Sequence, residues 1–241
     1  MNKILLIIGI FTNSIVNTQS VFEGRVIYDV QIKVKKLDVS KLDKKKFSQR
    51  VIRASKKMYK DAKGVSAYLY FNQTESLYEL PKNLLNEADK KMNLTKVFAG
   101  NTNKYYVNSV KNEFIYQTNT TGEPFLMSFK PVEWRLIQEQ KMIGKYLCFK
   151  AISSKTFDNG MKKDIIAWYT PQIPLNFGPL KYNGLPGLIL ELDDNNIVFK
   201  TIKIELNKVD VKINNPLKGT VITSEKYLKV VNNFFKSIKK N

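Results

Sequence analysis

Asp193 and Asp194 lie side by side in the chain. Paired carboxyl groups are the raw material of general acid–base chemistry and of calcium binding. A calcium loop needs oxygen ligands at spaced positions, and Asp193-Asp194-Asn195-Asn196 does not extend to that spacing. A glycosidase needs two carboxyl groups ~5–10 Å apart across a cleft, and linear order places no two acids there. The run reads as a solvated hairpin turn. Cys148 is the one cysteine, so no intrachain disulfide forms. A nucleophilic thiolate needs a neighbour such as His or Lys that lowers its pKa. Cys148 instead sits in Lys145–Ala151, which alternates like a strand, and reads as a small buried hydrophobe.

The chain contains no His. That removes the usual general base, proton shuttle and zinc ligand, and with them Ser-His-Asp and Cys-His nucleophilic sites. Neither GxxxxGK[ST] nor GxGxxG occurs. No catalytic residue is nominated, and no metal or cofactor is called for. The enzyme class that stays open is a hydrolase working through carboxylates.

The elements that would position any site are mostly strands. Val26, Tyr28, Val30, Ile32 and Val34 alternate with Arg25, Asp29, Gln31, Lys33 and Lys35, a strand with one solvated face. Ile27 breaks the polar set. From Ser40 to Lys63 the period becomes helical, with Phe47, Val51, Ala54 and Met58 on one stripe of a very basic helix that packs on its own domain. Strands follow at 65–72, 75–80, 104–110, 113–118, 124–130, 133–138, 141–153, 161–170, 188–192, 197–206 and 209–213. Residues 81–103 read as a long loop with one helical turn. Asp158-Asn-Gly160 marks a hairpin. A helix near 224–239 starts behind a Thr223-Ser224 cap and carries Tyr227, Val231, Phe234 and Ile238 on one face. The predicted fold class is α+β: a large, curved, half-barrel-like, mainly antiparallel sheet with two helices.

The N-terminus reads as a cleavable signal peptide. Lys3 precedes the apolar run Ile4–Phe11, and Asn13–Ser20 is polar with small residues. A membrane-spanning helix needs ~20 apolar residues, which neither this run nor any later one supplies. Residues 1–20 are therefore assigned to the signal and 21–241 to a single exported domain. The net charge of +19 predicts attraction to anionic surfaces. Its 40 basic residues are mostly Lys and spread along the chain. Bidentate phosphate recognition prefers Arg, so nucleic acid is the disfavoured anion. Anionic lipid, acidic polysaccharide and acidic protein remain.

The least ordinary segment runs Ala167-Trp-Tyr-Thr-Pro-Gln-Ile-Pro174, then Phe177-Gly-Pro179, then Asn183-Gly-Leu-Pro-Gly-Leu-Ile189. Pro fixes φ and Gly permits positive φ, so an apolar stretch punctuated this way follows one irregular path. It reads as a rigid corner, with a binding loop as the alternative. Gly184, Leu185, Pro186, Gly187, Leu188 and Ile189 spell the hexapeptide of the GLPGLI family of exported Gram-negative proteins, which the chain resembles. Gly24–Tyr28, Ile143–Ala151, Trp168-Tyr169 and Gly178-Pro179 are similar to the family in the same order. The resemblance implies export and a β-rich fold, and brings no catalytic residue or cofactor. The leading functional expectation is a non-catalytic cell-envelope protein that binds an apolar or amphipathic ligand or a partner protein. The competitors are a secreted hydrolase and a structural protein on an anionic surface.

Overall fold

The computed structural model describes residues 22–33, 48–81, 92–119, 121–156, 160–207, 213, 215 and 218–238. The proposed signal, Phe47 and all but Ile213 of the expected strand at 209–213 lie outside them.

Two antiparallel meanders share one open sheet. The first comprises β1 (Gly24–Ile32), β2 (Val65–Phe71), β3 (Glu75–Glu79), β4 (Lys104–Asn108), β5 (Glu113–Thr118) and β6 (Phe125–Ser128). The second comprises β7 (Arg135–Ile143), β8 (Tyr146–Thr156), β9 (Lys162–Thr170), β10 (Leu188–Asp194) and β11 (Ile197–Leu206). They join where β1 pairs with β11. β12 (Thr220–Val221) adds in parallel to β6, giving the order β12-β6-β5-β4-β3-β2-β1-β11-β10-β9-β8-β7. Among the described residues three helices accompany it: α1 (Gln49–Lys60), α2 (Leu94–Phe98) and α3 (Ser224–Ile238). The α+β class with one large sheet is as the periodicity predicts.

Alternation decides which face is buried. Val26, Tyr28 and Val30 on β1 stand beside Val65, Ala67, Leu69 and Phe71 on β2, all nearly or wholly inaccessible. The connection between β9 and β10 folds onto this face, where Ile173, Leu175, Phe177, Tyr182 and Leu185 are buried in the same core. Complete burial of such side chains contributes roughly 1.5–3 kcal/mol each. The buried phenols are satisfied. Tyr28 donates to the Ile189 carbonyl at 2.6 Å, Tyr78 to the Ala99 carbonyl at 2.7 Å and Tyr182 to Asp194 at 2.6 Å. At the far end Tyr227 of α3 packs on Phe125, with ring centroids 5.5 Å apart. Thr223 caps that helix through its hydroxyl, 3.3 Å from the Lys226 N–H.

Three expectations are corrected. The strand expected over 141–153 is split by a turn at Gly144-Lys145, and β7 runs on through 139–143. Gly144 has φ +57 and Lys145 does not have positive φ, the sign pattern of a type II′ hairpin. Asp193 and Asp194 are not in a turn but end β10, and the turn is Asn195-Asn196 with Asn195 at φ +55. The expected α1 stripe is not buried at Ala54, which is exposed, and Met58 is only half-buried, whereas Ile52 beside the stripe is buried.

Candidate functional site

The motif residues turn inward. Leu185, Leu188 and Ile189 are at most 1% exposed, and Gly178 and Pro179 are buried with them. Gly178 is pressed so closely that a Cβ would lie 2.5 Å from the Tyr182 carbonyl oxygen and 2.6 Å from Ile189 Cδ1. A Cβ on Gly187 would lie 2.2 Å from the Thr170 carbonyl oxygen. Gly184 has φ +89 with no crowding, and Pro186 is exposed. Trp168 and Tyr169 occupy opposite faces of β9, as consecutive strand residues must. Tyr169 is buried against Phe149 at 6.2 Å between centroids. Trp168 stays half-buried under Lys141, whose Nζ is 4.3 Å from the ring centroid and 2.9 Å from a Glu191 carboxylate oxygen. The segment thus forms part of the core and lines none of the cavities described below.

The Asp193-Asp194 pair is separated by the strand. Asp193 forms an ion pair with Lys33, and Asp194 accepts from Tyr182. Cys148 is fully buried, and burial pushes its thiol up to about 11. That is the direction of an inert packing residue.

A polar cluster that the linear sequence hides spans β3, β4 and β5. Register brings Glu75 opposite Asn108, and Asn108 opposite Glu113. Glu75 accepts from the Tyr106 hydroxyl and from Asn108 at 3.2 Å. Burial first, then the Glu75 carboxylate, push the Tyr106 hydroxyl up to about 12. The carbonyl oxygens of the Asn72 and Asn108 side chains accept backbone N–H groups in the two adjoining turns. The cluster therefore staples two hairpin tips together. Among the described residues, no three acidic or sulfur side chains converge as a metal site would require.

The cavity with a ligand's character lies along α1. It measures about 690 Å³ and is lined by Ala54, Lys57, Met58, Asp61, Lys63, Met92 and Asn93. Ligand pockets typically span ~300–1,000 Å³. Met92 is 63% exposed at its rim. Asn93 joins the two walls: its Nδ2 donates to the Lys63 carbonyl at 3.0 Å, and its Oδ1 caps α2 at the Thr95 N–H, 3.1 Å away. Ala54 and Met58, half of the stripe expected to face the sheet, line this hollow instead. Met92 was out of reach of the periodicity, because it joins the helix only through the long connection from β3 to β4.

A family described as a protein of unknown function (Porph_ging) matches residues 158–191, the stretch from the β8–β9 hairpin to the middle of β10. No curated protein matches the chain. Two crystal forms of PNGF-II are similar in fold. The C2 form has a TM-score of 0.54 and 15% identity, and the match covers 88% of this chain and 33% of the PNGF-II chain. The P21 form has the same score and identity, with 89% and 34% covered. The chain thus spans about a third of PNGF-II, and the likeness is one of fold.

Proposed function

We propose that this is an exported, non-catalytic cell-envelope protein of the GLPGLI type, and that it binds an anionic amphiphile in the α1 cavity. The observation that carries the reading is the lining itself. Methionines offer an adaptable apolar floor, because the thioether chain is flexible and polarizable. Lys57 and Lys63 place two cations in the lining, against one carboxylate, Asp61, among the described residues. A chain with net charge +19 attracts anions before contact, and the hollow then discriminates by shape. A single molecule with an alkyl tail and an anionic head suits that lining better than a flat membrane, since the site is concave.

The test uses dodecyl phosphate, with dodecyltrimethylammonium as the matched cation, in calorimetric titrations. Dodecyl phosphate is expected to bind at least about tenfold more tightly, with the difference shrinking as salt screens the lysines. Lys57→Glu together with Lys63→Glu should reverse the preference at unchanged melting temperature. Equal affinity for both amphiphiles, or an unaltered preference in the double variant, would refute the site. Export is tested separately, by N-terminal sequencing of the protein from the envelope fraction. A chain still beginning at Met1 would remove that part of the reading.

A further inference from the structure

β11 is paired on both sides only over part of its length. Ile197 to Lys200 pair with Asp194 to Glu191 of β10. From Thr201 to Leu206 its ladder, among the described residues, is with β1 alone. The cause lies in the corner before β10. The N–H groups of Leu188 and Ile189 donate to the carbonyls of Ile173 and Phe177, each at 3.0 Å, so the start of β10 is tied to the connecting segment. Thr201 makes the last link, its hydroxyl donating to the Leu190 carbonyl at 2.6 Å.

The separation leaves a slot of about 390 Å³ between the end of β11 and the tip of the β7–β8 hairpin. Ile143 and Tyr146 form one wall, Ile202, Ile204 and Leu206 the other, and Lys145 and Lys203 lie along it. Direction follows from ladder alternation. Asn207 donates its N–H to the Glu23 carbonyl, at 2.9 Å across the β1 side. In an antiparallel ladder neighbouring residues alternate sides, so Glu205 also faces β1, and the backbone groups of Ile204 and Leu206 point away from it.

We infer that this slot takes an extended, acidic peptide segment of a partner protein, which adds as a strand to the free edge of β11. Main-chain hydrogen bonds to Ile204 and Leu206 would supply the pairing, and the apolar walls would take alternate side chains. Charge selects the acidic class. Lys145 has its ammonium 5.5 Å from the Tyr146 ring centroid, and Lys203 is 62% exposed although it reaches Glu205 at 2.7 Å. Both can turn to a carboxylate in the slot.

The experiment uses the peptide acetyl-Glu-Val-Glu-Val-Glu-Val-amide and its Lys-for-Glu counterpart, with binding read by calorimetry and by amide hydrogen exchange. The acidic peptide is expected to bind about tenfold or more tightly than the basic one, and to protect the Ile204 and Leu206 amides. Lys145→Glu with Lys203→Glu should abolish that preference while leaving the melting temperature unchanged. Ile204→Pro removes an N–H that the β1 ladder does not use, and should eliminate binding in the folded variant. Equal binding of the two peptides, no binding, or protection elsewhere without change at Ile204 and Leu206 would each overturn the inference.

Discussion

Gly187→Val is expected to unfold a large fraction of this protein or to lower its melting temperature by on the order of 10 °C. The valine Cβ would fall 2.2 Å from the Thr170 carbonyl oxygen, 2.6 Å from the Thr170 carbonyl carbon and 2.9 Å from the Pro171 nitrogen. All three are backbone atoms at the end of β9, so no side chain can swing aside. The φ of +156 adds a conformation that residues with a Cβ rarely adopt. Strain of that kind costs about 1–3 kcal/mol, and overpacking a filled core costs a similar amount again. Each kcal/mol shifts the melting temperature of a chain this size by roughly 2–4 °C. Gly184→Ala is the control. Gly184 has φ +89 but only the Val132 carbonyl oxygen, at 3.8 Å, near the position of a Cβ, so backbone strain alone applies. Thermal unfolding of both variants separates the causes. Gly187→Val melting at the wild-type temperature would mean that the corner does not set the path of the core segment.

The same corner shows what sequence carries and what it does not. Pro and Gly at fixed places in an apolar run announce an irregular, rigid path, and at two glycines, Gly178 and Gly187, a Cβ would fall within 2.6 Å of backbone or core atoms, so no other residue fits that path. β1, β2 and β11 are legible for a different reason: one buried face makes period two unavoidable, and a slip of one residue would expose every apolar side chain. The Gly144 turn is illegible because a two-residue hairpin keeps the alternation running on both sides. α1 misleads because a helical period does not say which way the helix turns: Ile52, off the expected stripe, is buried, and Ala54, on it, is exposed. The cavity and the polar cluster depend on register and on a distant connection, which no local period encodes. The free edge of β11 is further removed still, since it exists only because β10 is tied elsewhere.

Raising the pH should unfold the protein cooperatively within about two to three units above the ordinary tyrosine pKa. Tyr28, Tyr78, Tyr105 and Tyr182 all have hydroxyls pushed well above 10, in each case first by burial. For Tyr182 the Asp194 carboxylate adds to the effect, and for Tyr78 the neighbours Tyr105 and Tyr28 add to it. The sign follows from proton counts. Above pH 10 the unfolded chain releases these protons and the folded chain keeps them, so the unfolded state binds fewer and stability falls as pH rises. Each such group contributes about 1.4 kcal/mol per pH unit, so four give roughly 5–6 kcal/mol per unit against a total of ~5–15. Cys148 acts in the same direction from pH 9 upward, because burial raises its pKa to about 11. Lys181 opposes, since burial lowers its pKa and that penalty disappears once the unfolded lysine also loses its proton. One opposing group does not balance four. Tyrosinate absorbance and circular dichroism, followed together on raising the pH, check the outcome. The four buried tyrosines should ionise in one step, coincident with loss of the β-sheet signal. If all twelve tyrosines ionised together near pH 10 with the sheet signal retained, these phenols would be open to solvent and the tyrosine-filled core would be wrong.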